Sequence, residues 1–326
     1  MRACPQLGYW ATMLLLFLAC TDSDGPLGDT GPTPKDSLRV ATWNVESLGE
    51  SGSEELSDTR AILDRLDADV YSLNEIDRGQ DNTLQELAND MGYTLLLPED
   101  NDFGGIRNAV MTRWEVVGMT THSSNSLYPG AKELTRWAPE IRVVGPESRV
   151  EVSVLAVHLK SGFDEDDIFR RTIDAVRVGQ GAAQAGSRVV VMGDFNAEIS
   201  DMPDEPGTWT RAPNGLPSSY SLGDDLQDRL NGEGILSDPF QPFFDQGLVL
   251  LEASQLDGDL GTRPRSGRRI DYVLTTLPST GAQIFDCMDE HLEGSLPLAG
   301  ESVGRGMCED ASDHLPVFAD LTLSAE

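Results

Sequence analysis

The sequence has 326 residues, of which 39% are hydrophobic and 24% are charged, and this composition excludes a disordered polymer. The length allows one large domain or two small ones, with a sizeable buried core. The 55 Asp and Glu residues outnumber the 24 Lys and Arg residues and give a formal net charge of -31, which repels polyanions at long range unless cations or local basic clusters intervene.

Residues 1–19 are predicted to form a signal peptide. Arg2 precedes a short apolar run at residues 14–18, and this run is too short to cross a bilayer. Residues 16–20 resemble a bacterial lipobox, in which the signal is removed before a Cys that then carries a lipid. We expect lipidation at Cys20, and the alternatives are an ordinary signal peptide or an uncleaved anchor.

Residues 20–36 are rich in Gly, Pro and Asp, as a flexible tether between a lipid and a domain should be. No internal repeat and no later change of composition follows, so residues 37–326 are predicted to form one domain. We expect an exported monomer in the cell envelope, attached to the outer membrane by its lipid, or otherwise secreted.

The predicted strands are short segments rich in Val, Leu, Ile and Tyr. They cover residues 38–45, 69–73, 93–97, 108–112, 150–159, 189–192, 269–275 and 315–323. Helical spacing of apolar residues predicts helices at residues 54–66, 83–91 and 165–185. Residues 199–247 are rich in Pro, Gly, Asp and Ser, and we predict a long irregular insertion on the surface.

Cys287 and Cys308 remain as a pair once the presumed signal and Cys20 are set aside. Export to an oxidising compartment favours a disulfide between them, and two unpaired thiols are the alternative. No C-x-x-C spacing with a partner His is present, so no zinc site is predicted.

Polar motifs recur where the predicted strands end or begin, which is where layered α/β proteins build their sites. In chain order they are Trp43-Asn44-Val45-Glu46, Asn74-Glu75, Val157-His158-Leu159-Lys160-Ser161, Gly193-Asp194-Phe195-Asn196-Ala197, Arg269-Ile270-Asp271-Tyr272-Val273 and Ser312-Asp313-His314-Leu315-Pro316. Together they resemble the signature of the endonuclease/exonuclease/phosphatase family over nearly all of residues 38–323. The resemblance implies an α/β (α+β) four-layer sandwich of two packed β-sheets flanked by helices, as in deoxyribonuclease I. It also implies an active site at one end of the sandwich and a phosphate ester as substrate.

Hydrolysis of a phosphate ester needs charge neutralisation on the nonbridging oxygens, an activated water and a protonated leaving group. Glu46 and Glu75 are hard oxygen ligands suited to Mg²⁺, Mn²⁺ or Ca²⁺, and Asn44 can add an amide carbonyl. The resemblance implies that Glu75 is the main metal ligand, with Asn44 and Glu46 beside it and Asp313 in the same shell. The alternative for Glu46 is a solvated surface carboxylate.

Asp194 and Asn196 lie one residue apart, so both can point at the phosphorus, one to bind water or metal and one to orient. In relatives, the carboxylate corresponding to Asp271 accepts a hydrogen bond from the imidazole corresponding to His314, which fixes its tautomer and raises its basicity. His314 is then a general base for water or a phosphate contact. The resemblance places His158 across the site, where it stabilises the pentacovalent phosphorane or protonates the departing oxygen.

Two positions depart from the family pattern. In deoxyribonuclease I, a glutamate from another strand holds the histidine that corresponds to His158, and residues 106–110 offer no carboxylate. Asn108 is the candidate to replace it. Asn74 stands where Gln is commoner, which should preserve the carboxylate of Glu75 but move its hydrogen-bond partner.

Basic residues near these motifs bear on the choice of substrate. A cluster before Asp271 could steer a polyanion towards the site or form a solvated loop, and it comprises Arg263, Arg265, Arg268 and Arg269. Lys160 and the Arg170-Arg171 pair resemble a pattern of exported nucleases of the family. We therefore predict a nuclease that contacts its substrate through Lys160, Arg170 and Arg269.

Two other functions remain open. The acidic surface and the tether favour a phosphodiesterase or phosphatase acting on a lipid, as a sphingomyelinase does, or on a small molecule. Such a lipid enzyme should expose an aromatic loop, and the candidates, which could equally pack the insertion down, are Trp209, Tyr220, Phe240, Phe243 and Phe244. The third candidate is a non-catalytic binding module, against which the intact set of polar residues argues. His122 and His291 lie outside the motifs and are expected at the surface.

Overall fold

The computed structural model describes residues 37–46, 48–49, 52–201 and 206–323. The predicted signal peptide, the tether and the lipid site at Cys20 lie outside these residues. Within the described part of the chain, no helix combines the length and the apolar character that a membrane span requires.

The strands and helices alternate along the chain. The strands are β1 (Ser37–Asn44), β2 (Val70–Ile76), β3 (Thr94–Leu96), β4 (Arg107–Thr112), β5 (Glu115–His122), β6 (Ala138–Val144), β7 (Glu151–His158), β8 (Val189–Asp194), β9 (Thr208–Trp209), β10 (Ile235–Leu236), β11 (Val249–Leu250), β12 (Asp271–Thr275), β13 (Ser279–Ile284) and β14 (Val317–Thr322). The helices are α1 (Glu54–Leu66), α2 (Asp81–Met91), α3 (Ser124–Leu127), α4 (Glu165–Gln184), α5 (Asp224–Asn231), α6 (Gln241–Phe244) and α7 (Met307–Ala311).

Two mixed sheets of six strands each form the centre of the fold. Sheet A has the order β13-β14-β1-β2-β4-β3, and sheet B has the order β11-β12-β8-β7-β6-β5. In β7, Val152, Val154 and Ala156 belong to the core shared with sheet A, whereas Leu155 and Val157 pack towards α4. Apolar residues on both faces of a strand require cover on both faces. The predicted sandwich of two sheets flanked by helices is therefore confirmed.

Helix α1 shows how local signals place the outer layer. The side chain of Ser53 accepts a hydrogen bond from the backbone N–H of Leu56, which satisfies one of the unpaired donors at the start of the helix. Ile62, Leu63 and Leu66 then form one apolar stripe that joins the core with sheet A. The predicted bounds of this helix agree with the structure.

The insertion at residues 199–247 is more ordered than we predicted. It contains α5, α6 and the strand pair β9–β10. Leu226, Leu230 and Ile235 pack against Phe169 and Ile173 of α4. The insertion therefore adds its own small apolar cluster to the outer face of α4, which the polar composition of the segment did not reveal.

The predicted disulfide is confirmed, since Cys287 and Cys308 are bonded and both are buried. The bond fastens α7, which directly precedes the Ser312-Asp313-His314 motif.

His122 was expected at the surface, but the structure buries it. Its Nε2 atom lies 2.7 Å from the carboxylate of Glu140, which gives the buried ring a polar partner.

Candidate active site

Strand register brings the predicted catalytic residues to one end of the sandwich. In sheet A, β1 and β2 run parallel and pair Asn44 with Asn74 at their ends. In sheet B, the parallel strands β7 and β8 pair His158 with Asp194, and the first residue of β12, Asp271, lies opposite Asp194. The site is therefore built where strands of both sheets end or begin.

Three site residues have left-handed backbone conformations. The φ angles are 52° at Glu46, 65° at Glu75 and 52° at Asn196. Such angles are uncommon in residues other than Gly and are retained where the surrounding structure enforces them, often at functional sites. Three of the five described non-Gly residues with positive φ therefore lie in the motifs, and the other two are Asp67 and Arg149.

Gly193 allows β7 and β8 to approach closely beside the site. Its φ angle is +151°, and a Cβ atom at this position would overlap the carbonyl oxygen of Val157. Glycine is the residue that permits such a backbone approach. This contact sets the position of the next residue, Asp194.

Asn74 joins the two sheets directly behind the catalytic residues. Its Nδ2 atom donates to the carbonyl oxygen of Val157 at 3.0 Å and to Oδ1 of Asn108 at 2.9 Å, and its Oδ1 atom accepts from the backbone N–H of Asp194 at 3.1 Å. Buried polar groups that are fully hydrogen-bonded fix one arrangement of the elements around them. Asn74 therefore aligns β2 with β7 and β8.

Glu75, His158 and Asp194 form a group that could hold a metal ion. Oε1 of Glu75 lies 3.7 Å from Nε2 of His158, which lies 3.5 Å from Oδ2 of Asp194. One ligand atom from each residue lies within 4.8 Å of the others. The side chain of Glu75 is 26% exposed while the other two are buried, so the group is accessible from the Glu75 side.

The raised pKa of Asp194 indicates that this group suits a cation. Burial and the nearby charge of Asp271 raise the pKa of Asp194 to about 7, against the opposing charge of His314. A divalent cation would relieve this repulsion between carboxylates, and carboxylate oxygens are the ligands that such ions prefer. The residues present therefore fit a divalent metal ion.

Asn44 does not offer the carbonyl ligand that we predicted. Its Oδ1 atom accepts a hydrogen bond of 3.0 Å from the backbone N–H of Glu46. Because a backbone N–H can only donate, this contact fixes which end of the Asn44 amide faces it. The amide group therefore points at the carboxylates, 3.0 Å from Glu75 and 3.2 Å from Asp194. The Asn44 amide group thus bridges these two carboxylates, while its oxygen is bonded to the backbone.

Glu46 and Asp313 are bonded to each other and to Arg263. The carboxylate of Glu46 accepts from the backbone N–H of Asp313 at 3.2 Å, and Nε of Arg263 donates to the carboxylate of Asp313 at 2.8 Å. In the described part of the chain, the close groups of metal-ligating atoms include neither residue. Their predicted placement in the metal shell is therefore not reproduced.

His314 is paired with Asp271, as the resemblance implied. Nδ1 of His314 lies 2.8 Å from Oδ2 of Asp271, which also accepts a hydrogen bond of 2.7 Å from the hydroxyl of Thr262. Burial lowers the pKa of His314, but Asp271, Asp194 and Asp313 outweigh it and raise the pKa to about 9. His314 is therefore protonated at neutral pH in the metal-free protein.

His158 is neutral, in contrast. Burial, together with the positive charges of Arg136, His314 and Lys160, lowers its pKa well below the ordinary value. Among the described residues, none provides a hydrogen-bond partner for its buried Nδ1 atom. Asn108 does not replace the glutamate of deoxyribonuclease I, because its amide is bonded to Asn74 and to the carbonyl oxygen of Trp137.

Asp194 and Asn196 share one tight turn after β8. Oδ1 of Asp194 accepts from the backbone N–H of Asn196 at 2.7 Å, and Nδ2 of Asn196 donates to the carbonyl oxygen of Leu159 at 3.1 Å. The second of these bonds ties the turn to the segment that follows His158. Asp194 therefore lies beside His158 and Asn196 beside the residue that follows it, while the contact of both with a phosphate stays a prediction.

The three predicted substrate contacts have different surroundings. Nζ of Lys160 lies 2.6 Å from Asp167. Arg170 is buried, with its guanidinium 4.8 Å from the ring centre of Phe103. Arg269 pairs with Glu252 at 3.1 Å. All three side chains therefore have partners within the fold, and their contact with a substrate stays a prediction.

Arg136 is a site residue that sequence reasoning missed. Its Nη1 atom donates to the carbonyl oxygen of Leu159 at 3.1 Å. Burial lowers the pKa of Arg136, against the opposing charges of Glu75, Asp174 and Asp194. Arg136 therefore supplies positive charge next to the metal group. It precedes β6, which we did not predict, so no strand end drew attention to it.

Comparison with known proteins agrees with this geometry. A model of the endonuclease/exonuclease/phosphatase family matches residues 41–314. Among solved structures, an endonuclease/exonuclease/phosphatase from Beutenbergia cavernae is 22% identical, with a TM-score of 0.54 over 89% of this chain and 72% of that chain. No curated protein matches.

Two further structures of similar fold carry bound molecules. The 3' phosphatase NExo from Neisseria, bound to a product DNA hairpin, is 18% identical, with a TM-score of 0.54 over 86% of this chain and 98% of that chain. ANGEL2, a 2',3'-cyclic phosphatase in complex with adenosine-2',3'-vanadate, is 13% identical, with a TM-score of 0.57 over 89% of this chain and 96% of that chain. At these identities the likeness shows the fold.

Proposed function

Because the chain belongs to the endonuclease/exonuclease/phosphatase family, we propose that it is a nuclease that cleaves phosphodiester bonds of nucleic acid with Mg²⁺ or Mn²⁺. The coarser activity, metal-dependent hydrolysis of phosphate esters, follows from family membership and from the site. The observation that carries the proposal is that Glu75, His158 and Asp194 form one close group and Asp194, Asp271 and His314 form another, so that the two groups share Asp194. These five residues define the catalytic cleft.

Each residue of the cleft has a role that its surroundings support. Glu75 and Asp194 would hold the ion, which neutralises the phosphate oxygens when bound. His314, oriented by Asp271, would bind a phosphate oxygen as an imidazolium, or would take the proton of the attacking water once the charge of a bound cation has lowered its raised pKa. His158 contacts the phosphorane or the departing oxygen from the other side. The amide of Asn196 orients the phosphate.

Nucleic acid is favoured over other esters by the positive charge around this cleft. Arg136 lies next to the metal group, and Arg263, Arg265 and Arg268 lie on the segment that leads into β12. Local basic side chains can bind a phosphate backbone even where the whole molecule is acidic. Lys160 adds a further basic side chain shortly after the end of β7.

A lipid substrate loses most of its support. Phe240 and Phe243 are buried, Trp209 packs edge-on against Phe169 at 5.2 Å, and the ring of Tyr220 stacks on Phe103 at 5.9 Å. These aromatic residues pack the insertion onto the fold. They therefore do not form the exposed loop that a sphingomyelinase-like enzyme requires.

The substrate is tested with the protein lacking residues 1–19. We expect it to degrade plasmid and single-stranded DNA with Mg²⁺ or Mn²⁺ and to stop with chelator. His314→Ala should lower kcat by more than about a hundredfold. Turnover of bis-nitrophenyl phosphate without cleavage of DNA or RNA would establish the small-molecule phosphodiesterase instead. Inactivity of the folded protein on every ester would establish the binding module.

The exported, lipid-anchored location remains part of the proposal. It is supported by the lipobox-like residues 16–20 and by the Cys287–Cys308 disulfide, since disulfides persist in oxidising compartments. Mass spectrometry of the mature N-terminus should find diacylglycerol on Cys20. An unmodified N-terminus at another residue would contradict the outer-membrane anchor and leave a secreted enzyme.

A further inference from the structure

Phe163 is the most exposed large hydrophobic side chain of the described residues, at 74%. It lies in the loop between β7 and α4, five residues after His158. This spacing limits the distance between the two Cα atoms to about 17 Å. An apolar ring therefore faces solvent on the loop that follows His158, where burial against a ligand would stabilise it.

Hydrogen bonds and an ion pair fix the loop that carries Phe163. Nη1 of Arg171 donates to the carbonyl oxygens of Lys160 and Gly162, at 2.8 and 3.0 Å. Nζ of Lys160 lies 2.6 Å from Asp167. Gly162 has a φ angle of +106°, and a Cβ there would overlap the Asp167 side chain. The ring is therefore presented by a fixed backbone.

Arg268 connects this ring to the catalytic residues on the other side of the cleft. Its guanidinium carbon lies 5.1 Å from the ring centre of Phe163, and its Nε atom lies 3.0 Å from the carboxylate of Glu198, two residues after Asn196. The carbonyl oxygen of Arg268 accepts from the backbone N–H of Thr262 at 2.9 Å, and Thr262 also binds Asp271. The Phe163–Arg268 pair therefore joins the segment that follows His158 to the segment that precedes Asp271.

We propose that Phe163 is a stacking platform for an unpaired nucleobase next to the scissile phosphate, with Arg268 as its cationic support. This inference rests on the proposed nuclease function and names its substrate class as single-stranded or locally unpaired nucleic acid. Aromatic side chains stack on any base because every base has a π-face, and Arg adds a cation–π contribution. In an intact duplex, the faces of the bases are already stacked on each other.

A lipid surface suits this ring less well than a nucleobase. Phe163 is a single ring, and it is followed directly by four carboxylates at residues 164–167. Insertion into a membrane would bring these charges towards the bilayer, which is costly. Stacking on one base requires contact with the ring alone.

The experiment compares two single-stranded oligonucleotides with Mg²⁺ in the wild-type protein. One oligonucleotide is intact, and the other lacks the base of the nucleotide beside the cleaved bond. The abasic nucleotide is placed first on one side of that bond and then on the other. We expect kcat/KM to be about tenfold higher for the intact strand at one of the two positions. In Phe163→Ala, the ratio of the two kcat/KM values should fall to within about twofold of one, whereas Phe163→Trp should preserve it. Both variants should still hydrolyse bis-nitrophenyl phosphate, which shows that the metal site works.

A matched control is Val249→Ala, because Val249 is 62% exposed in β11 and lies outside the cleft motifs. It should leave the ratio unchanged. The platform is overturned if the ratio in Phe163→Ala equals that of the wild type. It is also overturned if Phe163→Ala binds phosphatidylcholine vesicles less well than the wild type while the ratio is unchanged. If the wild type cleaves neither oligonucleotide, the nuclease function fails first, and the platform fails with it.

Discussion

His158 and His314 lie in the same cleft, yet their surroundings change their pKa values in opposite directions. Burial and neighbouring cations lower the pKa of His158, whereas three carboxylates raise that of His314 to about 9. Groups whose pKa values are separated in this way can take different parts in proton transfer. A neutral His158 and a protonated His314 thus face the same site in the metal-free protein.

The pairing of His314 with Asp271 is tested by NMR titration of the metal-free protein, which has four His residues. We expect His314 to titrate with a pKa near 9, and Asp271→Asn should lower that pKa because it removes the negative charge. Because the pKa of His314 is higher in the folded protein, its pairing with Asp271 contributes its full stability below pH 6.5, the ordinary pKa of His. This contribution is lost as the pH rises through about 9.

The matched control for this titration is His291, which is exposed and hydrogen-bonded to the carbonyl oxygen of Met288. The chemical shifts of its ring protons should be the same in the wild type and in Asp271→Asn. An unchanged pKa of His314 in that variant would show that Asp271 does not hold its proton.

At the scale of elements, the junction of β7 and β8 positions the site. Gly193→Ala would place a methyl group on the carbonyl oxygen of Val157, so one strand must shift. We expect the free energy of unfolding to fall by about 3 kcal/mol, measured by urea denaturation, with a larger relative loss of activity. Gly207→Ala is the control, because open space surrounds that position. Equal stability of the two variants would contradict the role given to Gly193.

The disulfide should stabilise the segment that leads to His314. Replacing Cys287 and Cys308 with Ser releases a bond that spans 21 residues of sequence. We expect the free energy of unfolding to fall by about 3 kcal/mol, again measured by urea denaturation. Treatment of the wild type with a reductant should have a similar effect and should leave the double variant unchanged. If the double variant were as stable as the wild type, α7 would be held by its packing alone.

The sequence predicted the elements whose pattern is strong and missed those whose pattern is weak. Strands β7 and β8 carry runs of apolar residues, because both faces of each are buried. The edge strands β5 and β13 contain Gly, Thr and Ser, and their exposed positions require few apolar residues. β6 was missed because Pro139, Glu140 and Arg142 interrupt its apolar residues.

The candidate site was predicted as a set of residues but not as a network of bonds. Motif order was sufficient to bring His158, Asp194 and His314 to one place. The orientation of the Asn44 amide depends on a backbone N–H two residues later, and the isolation of His158 depends on where Asn108 points. Such details are set by packing in three dimensions, which spacing along the chain does not encode.

At the scale of the whole molecule, the net charge of -31 must be reconciled with an anionic substrate. Exposed charges separated by more than about 10 Å are largely screened at ordinary ionic strength, so the groups within the cleft decide binding. There, Arg136 and a bound divalent ion would offset the carboxylates of Glu75 and Asp194. The acidity of the surface thus limits long-range attraction without preventing hydrolysis.

The requirement for a metal ion is tested most directly by hydrolysis of bis-nitrophenyl phosphate at increasing Mn²⁺ after treatment with chelator. We expect no turnover in the chelator-treated protein and full recovery with Mn²⁺. Glu75→Gln should raise the half-saturating Mn²⁺ concentration by about tenfold or more, because a neutral amide replaces a carboxylate ligand. A rate that survives chelation, or that responds to Mn²⁺ identically in the wild type and in Glu75→Gln, would contradict a metal-dependent site built on Glu75.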